Sequence, residues 1–132
     1  MKRRVFFTIV AVVVAFELSG AMAYAQSAAA SAEIPFPFVA GGKDMPAGKY
    51  QVADASNFRL QITGPKGDGF FLVAITMLGR HDKDTDPEFV FDKVDGKAVL
   101  SEVWMPDKDG YLLVSTKGPH AHAVVGGSNP RK

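Results

Sequence analysis

Glu88-Phe89-Val90-Phe91-Asp92-Lys93-Val94-Asp95-Gly96-Lys97-Ala98-Val99-Leu100-Ser101-Glu102-Val103-Trp104-Met105 is the stretch whose reading decides the fold. Two runs rich in β-branched and aromatic residues flank Asp95-Gly96. That dipeptide suits the two-residue hairpin turn whose central positions both need positive φ. The reading is a hairpin joining Glu88–Val94 to Lys97–Met105.

The same grammar extends outward in both directions. Downstream, Pro106 to Gly110 reads as a turn, Tyr111 to Thr116 as a strand, and Pro119 opens a last strand from His120 to Val125. Upstream, Phe70 to Leu78 carries large apolar side chains on both faces, which predicts a central strand. Gly64-Pro65-Lys66-Gly67-Asp68-Gly69 is a loop. Phe58, Leu60 and Ile62 fall on one face of a strand at period two, and Lys49 to Ala53 is its neighbour. Met45-Pro46-Ala47-Gly48 is a proline-initiated turn. Ile34-Pro35-Phe36-Pro37-Phe38-Val39 is extended and belongs at an edge, because its prolines cannot donate to a ladder. About eight short strands with turns between them, and no helical periodicity, predict an all-β domain, a small antiparallel barrel or sandwich. A membrane-spanning barrel would need strands of about 9–11 residues throughout, longer than most of these.

The chain opens on a basic start, Met1-Lys2-Arg3-Arg4, then an uncharged apolar run from Val5 to Phe16, then Ala21-Met22-Ala23-Tyr24-Ala25. This is the layout of a cleavable signal peptide, with small side chains at −3 and −1 and Gln26 as the first mature residue. Cleavage after Ala23 is the alternative. Glu17 cuts the apolar run short of the roughly 20 residues a spanning helix needs. The protein is therefore expected to be exported, periplasmic or extracellular, touching the membrane only through an uncleaved leader. Arg3-Arg4 resembles a twin-arginine signal, but the very short basic region and strongly apolar run favour unfolded export. The reading divides the chain into a signal peptide (1–25), a flexible spacer (26–33, Gln-Ser-Ala-Ala-Ala-Ser-Ala-Glu), a β-domain (34–127) and a disordered tail (128–132).

The leader holds three basic residues and one acidic one, so its removal turns a formal net charge of +1 into −1. No concentrated basic face remains to neutralise phosphates, which argues against a nucleic-acid partner. The absence of cysteine excludes disulfides and thiolate metal sites, leaving the apolar core to hold the domain.

Ile34-Pro35-Phe36-Pro37-Phe38-Val39-Ala40-Gly41-Gly42-Lys43-Asp44-Met45-Pro46-Ala47-Gly48-Lys49-Tyr50-Gln51-Val52 resembles the opening of a family of small, exported, uncharacterised bacterial β-proteins. Their mature domains begin with a PF-x-F strand and a PAG-x-Y-x-V turn and strand. Leu100-Ser101-Glu102-Val103-Trp104-Met105-Pro106 is similar to the family's second recurring feature. The resemblance spans nearly the whole mature domain; it implies export and a β fold, and no activity.

Few residues have the spacing of a chemical site. His120 and His122 lie two apart on an expected strand, so their imidazoles share a face and can hold one Zn²⁺ or Cu²⁺. His81 is the remaining histidine, and a carboxylate could complete the set. Asp82, Asp84, Asp86 and Glu88 alternate as at the start of a calcium loop, but Pro87 stands where the loop needs glycine and Lys93 where it needs glutamate. Tyr50, Trp104 and Tyr111 are candidates for lining a small apolar ligand cavity, or simply for filling the core. No nucleophile sits in an elbow motif and no glycine run cradles phosphate. The leading expectation is a non-enzymatic exported domain without a cofactor. It would bind an envelope protein, a polymer or a small apolar ligand. Copper or zinc binding through His120 and His122 is the alternative and a hydrolase the second alternative.

Overall fold

Asp95 and Gly96 both take positive φ, 51° and 79°, and the hairpin turns where the dipeptide predicts. The structure is a computed structural model, and it describes residues 29–79, 86–106 and 109–130. The domain is all-β. Its strands are β1 (Ala29–Ile34), β2 (Phe38–Ala40), β3 (Lys43–Met45), β4 (Gly48–Asp54), β5 (Arg59–Thr63), β6 (Gly69–Val73), β7 (Thr76–Leu78), β8 (Glu88–Val94), β9 (Lys97–Trp104), β10 (Gly110–Leu112) and β11 (Ala121–Gly126). No helix among the described residues is long and apolar enough to cross a membrane.

The strands form two open sheets, a sandwich in which neither sheet closes into a barrel. One sheet runs β1-β4-β5-β6, every pair antiparallel. The other runs β11-β8-β9-β10-β7, with β2 joining β9 in parallel at Val39–Val99 and pairing β3 on its other side. Period-two alternation puts Val52, Leu60, Ile62 and Leu72 of the first sheet against Phe38, Phe89, Phe91, Leu100 and Val103 of the second. Phe38 meets Tyr50 and Phe91 edge-on, with ring centroids 4.9 and 5.3 Å apart.

One irregularity matters for the site. Val90 pairs with Glu102 but Phe91 pairs with Leu100, so Ser101 is an extra residue in β9. This bulge breaks the alternation: Leu100 and Ser101 are both buried, and the phase of the strand changes after them.

Five expectations need correction. The strand expected over Tyr111 to Thr116 ends at Leu112, as β10. Phe70 to Leu78 is not one central strand. It divides into β6 and β7, which are the outer strands of different sheets, and Phe71, Val73, Ile75 and Met77 are exposed. Only one side of the run is buried, through Leu72 and Ala74, where the chain crosses from one sheet to the other. Phe58 does not share the face of Leu60 and Ile62. Ser56, Asn57 and Phe58 all take left-handed φ, closed by hydrogen bonds from Ala55 N to Arg59 O and from Arg59 N to Ser56 O, and Phe58 turns outward. The spacer expected over 26–33 gives way, from Ala29 on, to β1, which pairs with β4 from Ala29–Ala53 to Ile34–Gly48 and buries Ala30, Ala32 and Ile34. Small side chains hide the burial in the sequence because they carry little apolar area. The tail expected from 128 likewise begins inside the fold: Ser31 and Ser128 exchange backbone hydrogen bonds at 2.8 and 2.7 Å, linking the end of the chain to β1. The signal peptide lies outside the described residues.

Candidate metal centre

Asp92 stands in the middle of β8 with its side chain directed away from Phe89 and Phe91, onto the outer face of the larger sheet. It is nevertheless only 3% exposed, because the chain from Leu113 to His120 runs over it. That segment is pinned at the bulge, where Leu113 N and Val114 N both donate to Ser101 O. Thr116 then donates its hydroxyl to Asp92 Oδ2. Ser101 Oγ lies 3.0 Å from Asp92 Oδ1 and 3.2 Å from Val90 O. The extra residue in β9 thus aims a hydroxyl at the carboxylate.

The two histidines arrive from β11 and the residue before it. β11 pairs with β8 so that His122 lies directly opposite Asp92, with Nδ1 2.9 Å from Oδ1. His120 Nε2 is 3.8 Å from Oδ2. The rings meet edge-on at a centroid distance of 4.7 Å, so the shared face read from their spacing is present. Asp92, His120 and His122 each offer a ligand atom, and these atoms lie within 4.8 Å of one another.

His120 Nδ1 is 2.9 Å from the carbonyl oxygen of Gly118. A carbonyl accepts only, so Nδ1 carries a proton, and in the neutral ring the Nε2 lone pair faces Asp92. A separation of 3.8 Å is too long for a hydrogen bond to Oδ2. It leaves room for a shared ion, and a backbone carbonyl on the far nitrogen is the usual outer partner of a metal-bound imidazole. Burial pushes the Asp92 carboxyl upward, but hydrogen bonds from Thr116 and Ser101, then the neighbouring His120 and His122, outweigh it. Its pKa is lowered on balance, and the site holds a buried anion. The side chain of Asp92 is 4% exposed and that of His122 56%, so one side of the centre faces solvent.

The same residues bring serine, histidine and aspartate together, but in an order that does not activate a nucleophile. The single Ser101 hydroxyl proton is directed at the carboxylate, with Val90 O beside it, rather than at an imidazole, and the side chain is buried. Nucleophilic catalysis needs the base on the hydroxyl and the acid behind the base.

The other candidates divide. His81, Asp82 and Asp84 lie outside the described residues. Asp86 is exposed, and Glu88 belongs to β8, opposite Trp104 and Gly126. Tyr50 is a core residue whose hydroxyl donates to Pro46 O. Trp104 Nε1 donates to Glu102 Oε2 at 3.1 Å, and its ring lies over Gly110, where a Cβ would come within 2.6 Å of it. Tyr111 donates to Asp54 Oδ2 at 2.9 Å. These aromatics pack the sandwich rather than line a barrel interior.

Burial first, then the hydrogen bond to Asp54 and the charges of Asp54 and Asp109, push the Tyr111 pKa up to about 12 from 10.0. A raised pKa contributes stability that is complete below pH 10 and is lost as pH rises through the folded value. Tyr111→Phe should therefore flatten the fall in denaturant midpoint between pH 10 and 12; an unchanged slope would place the alkaline transition elsewhere.

Asp92 was missed by sequence reasoning. Its one signal is a charged residue in the apolar run Phe89-Val90-Phe91, and only the β8–β11 register ties it to the histidines. Comparison with protein-family models, curated proteins and solved structures gives no match to this chain.

Proposed function

We propose that this chain is an exported β-sandwich that binds a divalent transition-metal ion, Zn²⁺ or Cu²⁺, through Asp92, His120 and His122. The observation that carries the reading is the convergence of one buried carboxylate and two imidazoles within 4.8 Å, each already oriented by the fold. Neutral imidazole and carboxylate suit both ions, and three protein ligands leave a position open on the solvent side. The basic, apolar and Ala-x-Ala order of residues 1–25 supports export, and the resemblance of the PAG-x-Y segment points the same way.

Calorimetry with Zn²⁺ and Cu²⁺ on the tag-free mature protein tests the reading. One ion should bind per chain. His120→Ala and His122→Ala should each remove most of the affinity, whereas Ala121→Ser should change little because that side chain faces the other way. Binding should weaken as pH falls, because a protonated imidazole cannot ligate the ion. Heat that survives the loss of both histidines would put the ion elsewhere; no heat at all would leave the domain as a binder of an envelope partner or a small apolar ligand.

A further inference from the structure

The PAG-x-Y segment builds a second feature, away from the metal ligands. Pro46 O accepts the Tyr50 hydroxyl, which closes the turn into β4. The loop between β5 and β6 is closed by hydrogen bonds from Gly64 N to Asp68 O and from Gly67 N to Gly64 O. The two turns come into contact through their glycines. A Cβ on Gly48 would lie 2.6 Å from Pro65, and one on Gly64 would lie 3.3 Å from the Tyr50 ring. Between them is a cleft of about 550 Å³. That volume falls in the roughly 300–1,000 Å³ range of small-molecule sites.

Its lining includes the apolar side chains of Met45, Pro46, Pro65 and Phe70 and the edge of Tyr50. Of the charged groups that line the cleft, Lys43 is the one held against its aromatic wall. Lys43 and Met45 share one face of β3, and Lys43 Nζ lies over the Phe70 ring at 4.4 Å from its centroid. Asp44 alternates with Lys43 along β3 but lines the cleft as well. Lys66 and Asp68, on the β5–β6 loop, complete the charged lining. Among the described residues neither Lys43 nor Lys66 forms an ion pair. An ammonium held against an aromatic wall, with an apolar cleft beside it, is complementary to a molecule with an apolar body and one anionic end.

We infer that this cleft binds a small amphipathic carboxylate, its chain against Pro46, Pro65 and Phe70 and its carboxylate on Lys43. The site is independent of the metal centre. Calorimetry of the mature protein with decanoate, carried out in a chelator so that no metal can hold the carboxylate, is the test. Decanoate should bind one per chain, and decanol and decylammonium at least tenfold more weakly. Lys43→Gln should lower decanoate affinity tenfold or more with an unchanged melting midpoint, while Lys97→Gln at the hairpin tip should leave it unaltered. Failure of decanoate to bind would overturn the inference. So would affinity that survives Lys43→Gln, or decylammonium binding as tightly, which would mean that Asp44 and Asp68 set the charge of the cleft.

Discussion

Asp92→Asn should lower affinity for Zn²⁺ or Cu²⁺ by on the order of 100-fold, the upper end of what loss of an outer partner alone does to a metal site. The substitution keeps the shape of the side chain and removes its charge, so the two imidazoles remain but lose the anion between them. The effect reads directly as stability. An ion at 100 times its dissociation constant should raise wild-type unfolding free energy by about 2.7 kcal/mol and should do almost nothing for the variant at the same concentration. Metal-free protein shows the second consequence. Because the Asp92 pKa is lowered in the fold, its charge contributes stability above the ordinary value of 3.8, and that contribution is lost as pH falls toward the folded value. Urea midpoints measured in a chelator should therefore fall more steeply below pH 4 for wild type than for Asp92→Asn. Parallel acid slopes would show that Thr116, Ser101 and the histidines do not stabilise the carboxylate, and the site would lose its electrostatic basis.

Ala30→Glu should destabilise the domain by about 3 kcal/mol or more, because it places an uncompensated charge in the core. Ala30 is fully buried on β1 opposite Val52, inside the apolar core. Ser31→Thr, one residue on, provides the control, since it keeps the hydroxyl and the backbone pairing with Ser128. A melting midpoint unchanged by Ala30→Glu would return residues 29–33 to the role of a spacer. The measurement matters to the candidate metal centre as well, because β1 is tied to Ser128 and so helps to hold the chain that carries β11.

The elements most easily read were those with local causes. Asp95-Gly96 specifies its own turn because both residues accept positive φ, and the alternation of Leu60 with Ile62 and of Phe89 with Phe91 follows from the two-residue period of a strand. The sequence by itself determined an all-β domain with its principal hairpin, and it determined that His120 and His122 share a face. It did not reveal which strands are outer ones. Phe70 to Leu78 is apolar enough for a central strand, yet β6 and β7 end two different sheets, since hydrophobicity reports burial capacity and not neighbours. Nor did it reveal β1, whose alanines and serines look like a linker and pack closely because they are small. The candidate metal centre divides along the same line. Spacing alone brings the two imidazoles together. Asp92, Ser101 and Thr116 join them only through the pairing of β8 with β11, a bulge in β9 and a chain that crosses the sheet. Those contacts join residues distant in sequence, and the physical reason they are illegible is that register between non-adjacent strands is settled by packing of the whole sandwich rather than by any residue's own preference.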